Sequence, residues 1–169
     1  KEVLPGTETP VNHLHPDQEW YTTDVFTDYA LQFFEEGIQA KKPVFLYLAY
    51  TAPHWALHAP DEEIAKFRGR YADGWQPVRE ARFARQLEMG LFPSRTTLSP
   101  QDSGVPAWSR VKNQDEMDLR MATHAAMVHL VDRGVGRVVA KLTELDQLKN
   151  TLILFLSDNG ASAESGPTG

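Results

Sequence analysis

The chain has 169 residues, 41% hydrophobic and 24% charged, which is ordinary for a globular domain with one core. Its formal net charge of -6 argues against a nucleic-acid backbone or an anionic membrane surface as the main partner. No apolar stretch reaches the roughly 20 residues needed to span a bilayer, and the lack of cysteine excludes disulfides, thiolate metal sites and a cysteine nucleophile within these residues.

The first half of the chain alternates between helical and strand-like patterns. Residues 1–21 are rich in proline and predict extended coil. Residues 23–40 predict a helix, since a capping threonine precedes one apolar stripe. The apolar run 44–50 predicts a strand covered on both faces, which ends shortly before His54. Residues 61–67 predict a short helix after a proline.

The second half contains the longest helical pattern. Residues 78–89 predict an arginine-rich helix, and 91–107 predict a long irregular loop. Asn113 and Glu116 have the spacing of a capping box at the start of the next helix. The apolar period of that helix runs through Met117, Met121, Ala125, Val128, Val131, Val135, Val138, Leu142 and Leu145.

Gly134 and Gly136 interrupt this long helix, and each weakens it by roughly 1 kcal/mol relative to alanine. They either allow close packing against a sheet or mark a kink. The apolar run 152–156 then predicts a second buried strand, which stops abruptly at Ser157-Asp158-Asn159-Gly160.

Alternating helices and buried strands predict an α/β fold with parallel strands. The carboxyl ends of parallel strands lie on one edge of the sheet, and ligands in open α/β sheets bind at that edge. We therefore expect His54 at the end of the first strand to share this edge with Asp158 and Asn159 at the end of the last.

The polar end of the last strand has two interpretations. Asp158-Asn159-Gly160 is a common turn sequence, yet the residues after it do not read as the returning strand of a hairpin. The carboxylate and amide oxygens are also suitable ligands for calcium or magnesium, although two ligands cannot hold such an ion alone.

The histidines have two interpretations as well. His54 is either a structural hydrogen-bonding group or an acid held by a loop stiffened by prolines, because imidazole titrates near neutrality. His58 could do the same from one loop further out, whereas packing or exposure is the default for His124 and His129.

Three segments resemble the sulfatases of the alkaline-phosphatase-like superfamily. Tyr21-Thr22-Thr23-Asp24 with the following helix is similar to the family's Y-x-T-D segment. Residues 43–60, PVFLYLAYTAPHWALHAP, are similar to its strand and histidine loop, and residues 127–160 to its block ending in S-D-N-G. Phe92-Pro93-Ser94-Arg95 is similar to the end of the family's C/S-x-P-x-R motif. We reject that match, because the required Cys or Ser is absent and the motif lies upstream of the histidine loop in the family.

The resemblance implies an alkaline-phosphatase-like α/β fold with a mostly parallel sheet flanked by helices, of which residues 1–169 form the central part of the catalytic domain. It implies that Asp158 and Asn159 bind one Ca²⁺ together with aspartates outside this chain, and that His54 is catalytic at the leaving-group oxygen. It also implies a formylglycine nucleophile upstream. We expect a fragment of a longer protein that opens without a signal peptide, lacks the nucleophile segment and the C-terminal part, and is inactive alone.

The implied substrate is a sulfate-ester small molecule or a sulfated carbohydrate, with no nucleic-acid partner and no membrane span. The residues leave the compartment undetermined, and only the resemblance favours a periplasmic or secreted location. Two alternatives remain open. One is a phosphodiesterase or phosphonate monoester hydrolase of the same superfamily, and the other is a non-catalytic module that binds sulfated glycans.

Overall fold

The computed structural model describes residues 20–160. These contain four α-helices and two short 3-10 turns: α1 (Thr22–Gln39), α2 (Asp61–Ala65), α3 (Trp75–Glu88), Trp108–Arg110, α4 (Gln114–Glu144) and Leu148–Asn150. The four helices predicted from the sequence are confirmed, although α3 begins at Trp75 rather than at position 78 and α2 ends at Ala65 rather than at position 67. The predicted threonine cap of α1 is wrong, because the capping position is Tyr21 and no side chain caps the helix. The coil predicted for residues 1–21 falls almost wholly outside the described residues.

The chain divides into two compact units, and each is described separately. Among the described residues, the first unit comprises 20–56 and 127–156, and the second comprises 57–126 and 157–160. Helix α4 contributes residues 114–126 to the second unit and residues 127–144 to the first.

In the first unit, α1 and the second part of α4 lie side by side and run in the same direction. Three ion pairs between them show this, since residues further along α1 pair with residues further along α4. Arg133 pairs with Asp24 at 2.9 Å, Arg137 pairs with Asp28, and Lys141 pairs with Glu35 at 2.7 Å. Each pair is partly exposed and contributes about 0–1 kcal/mol. These pairs therefore fix the register between the two helices more than they stabilise the fold.

The buried stripe of α4 lies one position away from the predicted one at several places. Val128 is 45% exposed, whereas Ala126, Met127 and Leu130 are buried. The buried side shows four-residue spacing through Asp118, Ala122, Ala126, Leu130 and Gly134. The small residues in this stripe let neighbouring elements approach the helix axis closely.

The start of α4 agrees in part with the predicted capping box. Asn113 Nδ2 donates to Glu116 Oε2 at 3.1 Å, so the two side chains bond each other. Arg120 adds a second donor to the Glu116 carboxylate at 2.7 Å. These two hydrogen bonds, with that of Arg120 the stronger, hold the pKa of Glu116 below its usual value.

In the second unit, a turn region after α2 packs against α4 and a tryptophan. The indole N–H of Trp108 donates to the carbonyl oxygen of Ala72 at 2.9 Å, and its ring meets Trp75 edge to face at 5.0 Å. Gly74 lies against the same ring with φ of 85°, a conformation that favours glycine. A Cβ at this position would collide with the Trp108 ring.

The predicted strands are not formed within residues 20–160. The runs 44–50 and 152–156 belong to no helix, and neither has the hydrogen-bonded neighbour that defines a strand. Leu152 and Leu154 are 83% and 76% exposed, so burial of the second run on both faces is wrong for this part of the chain. The mostly parallel sheet of the predicted α/β fold is therefore not observed here.

The first run is covered on one face only. Leu46, Leu48 and Tyr50 are half-buried, whereas Phe45 and Tyr47, at the alternate positions, are 95% and 83% exposed. Alternate residues of an extended chain point to opposite sides, so this pattern is that of one face lying against helices. The run was predicted to be covered on both faces. Only one face is covered within residues 20–160.

None of the helices within residues 20–160 has the length and apolar character needed to cross a bilayer.

Candidate functional site

His54 lies in a loop that follows the half-covered run 44–50. Its backbone N–H donates to the carbonyl oxygen of Thr51 at 3.0 Å, which closes a tight turn. The Ala52–Pro53 and Trp55–Ala56 peptide bonds in this loop are cis. The His54 side chain is exposed, whereas Ala59, further along the chain, is buried.

The imidazole of His54 is oriented by a backbone carbonyl. Its Nδ1 lies 2.5 Å from the carbonyl oxygen of Trp55. A carbonyl oxygen only accepts hydrogen bonds, so Nδ1 carries the hydrogen. Nε2 is then the ring nitrogen left for a hydrogen bond to another group.

The chain just before this loop is anchored to α1 and α4 by Tyr50. The Thr27 hydroxyl donates to the carbonyl oxygen of Thr23 at 2.9 Å, and its oxygen lies 2.7 Å from Tyr50 Oη. Because the single Thr27 hydrogen is used, Tyr50 is the donor in this second bond. Burial is the main cause that raises the pKa of Tyr50, while the positive charge of the nearby Arg137 acts in the opposite direction.

Gly134 makes this anchoring possible. A Cβ at position 134 would lie 2.5 Å from Tyr50 Oη and 2.7 Å from Thr27 Oγ1, whereas a Cβ at Gly136 would meet nothing within 4 Å. Of the two interpretations open from the sequence, close packing is therefore correct for Gly134. The glycine lets the residue that precedes the His54 loop reach α1.

The segment Ser157-Asp158-Asn159-Gly160 forms a compact bend. Asp158 Oδ1 accepts from the backbone N–H of Asn159 at 3.0 Å, and Ser157 Oγ accepts from the backbone N–H of Gly160 at 3.2 Å. Gly160 has φ of 79°, which favours glycine at this position. The turn interpretation is thus correct for the backbone, and it directs the side chains of Asp158 and Asn159 outward, where both are exposed.

The donors in this bend suit a hard cation. Asp158 offers a carboxylate and Asn159 an amide oxygen, and calcium takes six to eight such oxygen ligands. Within residues 20–160 no group of three or more histidine, aspartate or glutamate side chains is placed to hold a metal ion. The two donors fit calcium in kind but supply only part of its ligands, so a calcium site at this bend stays a prediction.

The structure describes His54 in the first unit and the pair Asp158 and Asn159 in the second. Their predicted meeting at a sheet edge therefore stays a prediction. His58 is exposed and follows His54 in the same loop. Phe92, from the rejected nucleophile match, stacks on Phe83 with ring centroids 6.4 Å apart, which is a packing role.

Sequence reasoning missed the buried carboxylate of Asp118. Its two oxygens accept from the backbone N–H groups of Gly69 at 2.9 Å and Tyr71 at 3.0 Å, and Arg68 pairs with it at 3.0 Å. The sequence did contain one signal, since Asp118 is an acidic residue on the apolar side of the predicted helix. Its partners could not be read from the sequence, because they lie nearly 50 positions away.

Comparisons with known proteins agree with the resemblance. Residues 5–169 match the family model of the sulfatases. An uncharacterised sulfatase of Schizosaccharomyces pombe is 36% identical over 155 residues, which cover 90% of this chain and 28% of that protein. An arylsulfatase of Klebsiella aerogenes is 35% identical over 127 residues, covering 75% of this chain and 27% of the relative. Human N-sulphoglucosamine sulphohydrolase is 30% identical over 132 residues, which cover 77% of this chain and 24% of the human protein.

The chain thus spans about a quarter of the length of these relatives. The family match extends over nearly the whole chain and includes both the His54 loop and the Asp158-Asn159 bend. The chain therefore belongs to the sulfatase family.

Proposed function

We propose that the protein containing this chain hydrolyses sulfate esters, and that residues 1–169 form the central part of its catalytic domain. The observation that supports this most strongly is the family match over residues 5–169, which includes His54, Asp158 and Asn159. Membership of the sulfatase family implies the alkaline-phosphatase-like fold. The neighbouring strands and second helix layer of such a fold would come from residues outside 20–160.

His54 acts as the general acid in this proposal. As the S–O bond breaks, its electron pair passes to the ester oxygen, and Nε2 of His54 transfers a proton to that oxygen. The leaving alcohol is then neutral. The Nδ1 hydrogen bond to the Trp55 carbonyl holds the ring during this transfer, since it is made by the nitrogen that keeps its hydrogen.

Asp158 and Asn159 are the proposed calcium ligands of this chain. A bound calcium ion would stabilise negative charge on the sulfate oxygens. The bend at Ser157 to Gly160 places both side chains at solvent, where ligands from another part of the protein can complete the shell. The Asp158 carboxylate also lowers the net charge of the site and so favours the divalent cation over a monovalent one.

The nucleophile lies outside this chain in our proposal. A formylglycine residue upstream would supply the oxygen that attacks sulfur. The 169-residue chain alone is therefore expected to be inactive.

Assays of the full-length protein test the function directly. We expect hydrolysis of 4-nitrophenyl sulfate at a kcat/KM well above that for bis(4-nitrophenyl) phosphate and for a phenylphosphonate monoester. A reversed preference would instead support the phosphodiesterase or phosphonate monoester hydrolase alternative. Failure to hydrolyse any ester, with retained binding of a sulfated glycan, would support the non-catalytic binding module.

A further inference from the structure

The hydroxyl of Tyr50 is bonded inside the protein, four residues before His54. It lies 2.7 Å from Oγ1 of Thr27, which is fully buried in α1. Thr27 uses its own hydrogen for the carbonyl oxygen of Thr23, so Tyr50 donates to Thr27. The Tyr50 hydrogen is therefore committed to α1 and is not directed at a bound molecule.

Helix α4 fixes this hydrogen bond from a second side. A Cβ at Gly134 would lie 2.5 Å from Tyr50 Oη and 2.7 Å from Thr27 Oγ1, which is closer than a Cβ packs. Both hydroxyls thus lie directly against the glycine. The position of Tyr50 is set by two helices and not by the loop that follows it.

Two backbone contacts connect Tyr50 to the imidazole of His54. The carbonyl oxygen of Thr51, the next residue, accepts from the His54 N–H at 3.0 Å. His54 Nδ1 in turn lies 2.5 Å from the carbonyl oxygen of Trp55. Because neighbouring Cα atoms are about 3.8 Å apart, a shift of Tyr50 displaces Thr51 and the turn that carries His54. All these residues belong to the first unit.

We propose that Tyr50 is a positioning residue for proton transfer by His54. Its bond to Thr27 holds the loop so that Nε2 stays within proton-transfer distance of the leaving-group oxygen, about 2.6–3.2 Å. Small misplacements of a reacting group slow such a step. Tyr50 neither gives nor takes the transferred proton, so it acts only through His54. This inference rests on the proposed sulfate-ester hydrolysis and on the acid role of His54.

Tyr50→Phe in the full-length enzyme tests this role, because it removes only the hydroxyl. With phenyl sulfate, whose leaving group needs a proton, kcat should fall roughly 3- to 10-fold, the usual value of one hydrogen bond. With 4-nitrophenyl sulfate the loss should be less than about 2-fold, and KM should change less than about 2-fold for both esters. A general loosening of the fold would lower kcat for both esters alike.

A double-mutant cycle shows whether Tyr50 acts through His54. Adding Tyr50→Phe to His54→Ala should lower kcat for phenyl sulfate by less than about 2-fold further, since no acid remains to be positioned. Losses that multiply in the double variant would overturn the proposal.

Thr27 offers a second pair of variants that leaves Tyr50 intact. Thr27→Ser keeps the accepting hydroxyl and should retain the wild-type kcat for phenyl sulfate. Thr27→Val has nearly the same size but no acceptor, and it should reproduce the selective loss of Tyr50→Phe. Equal kcat values for the Ser and Val variants would overturn the proposal, even if Tyr50→Phe failed to fold.

Tyr71→Phe is the matched control. Tyr71 is half-buried like Tyr50, and burial raises its pKa as well, but it lies in the second unit. The control should leave kcat for both esters unchanged. No loss in Tyr50→Phe, equal losses on both esters, or the same selective loss in Tyr71→Phe would each contradict the positioning role.

The outcomes also separate this inference from the proposed function. If the wild-type enzyme hydrolyses no sulfate ester, both fail. If His54→Ala shows the leaving-group dependence of an acid but Tyr50→Phe and Thr27→Val do not, only the positioning role of Tyr50 fails.

Discussion

Tyr50 Oη and the Cα of Gly134 approach so closely that a methyl group at position 134 would lie 2.5 Å from the hydroxyl. Through this approach α4 permits the hydrogen bond between Tyr50 and Thr27, which ties the start of the His54 loop to α1. The glycine that weakens the longest helix is thus needed for the packing that positions the candidate site.

The two glycines of α4 should respond oppositely to alanine. Gly134→Ala should destabilise by about 1–3 kcal/mol, because the side chain overpacks against Tyr50 and Thr27. Gly136→Ala should stabilise by about 0.4–1 kcal/mol, because nothing lies within 4 Å and alanine favours the helix. Thermal unfolding of the full-length protein measures both shifts. Shifts of the same sign would contradict the close approach at Gly134.

Tyr50 should make stability depend on alkaline pH. Burial raises its pKa in the folded protein, so the folded state binds the phenolic proton more tightly than the unfolded state does. This contribution is complete below the unfolded pKa of about 10 and is lost as pH rises through the folded pKa. The thermal midpoint of the wild type should fall more steeply above about pH 10 than that of Tyr50→Phe. Parallel curves for the two proteins would rule out a buried Tyr50 hydroxyl.

Asp118 should be important for folding without being part of the site. Asp118→Ala leaves the N–H groups of Gly69 and Tyr71 without their acceptor, and each such loss costs about 1–3 kcal/mol. Asp132→Ala is the control, because Asp132 is exposed on the same helix and should change stability by less than about 0.5 kcal/mol. Thermal midpoints that do not differ between the two variants would argue against the Asp118 network.

Asp158 and Asn159 should differ as calcium ligands. Asp158→Ala should abolish activity and weaken calcium binding severely, because it removes the charged donor. Asn159→Ala should weaken both less, with partial rescue by excess calcium. Calcium titration by calorimetry on the full-length enzyme provides the measurement, with exposed Asp73→Ala as the control. Wild-type calcium affinity in Asp158→Ala would leave this bend with a turn role only.

The helices could be predicted from the sequence because their information is local. A capping residue acts on the first turn of its own helix, as before α4. The apolar period of a helix such as α1 or α4 is likewise set by residues three or four positions apart. Strand pairing is not local, and the runs 44–50 and 152–156 have no strand neighbour within the described residues. The sequences of both runs predict burial. Burial, however, requires neighbouring strands or helices that lie elsewhere in the chain.

The sequence offers candidate residues for the site but not their geometry. The resemblance to family motifs predicts His54, Asp158 and Asn159, and these roles stay predictions. The orientation of His54 by the Trp55 carbonyl and the contact between Tyr50 and Thr27 depend on backbone conformation. The position of Tyr50 also depends on packing between residues more than 80 positions apart, as Gly134 shows. No sequence period encodes such contacts.

The leaving-group dependence of His54→Ala tests the proposed chemistry most directly. In the full-length enzyme this substitution should lower kcat by roughly 10²–10⁴ for alcohols and weakly acidic phenols, which need a proton as they leave. The loss should shrink for acidic phenols such as 4-nitrophenol, and His58→Ala should cost much less throughout. Equal losses across good and poor leaving groups would contradict the acid role and leave His54 with sulfate binding only.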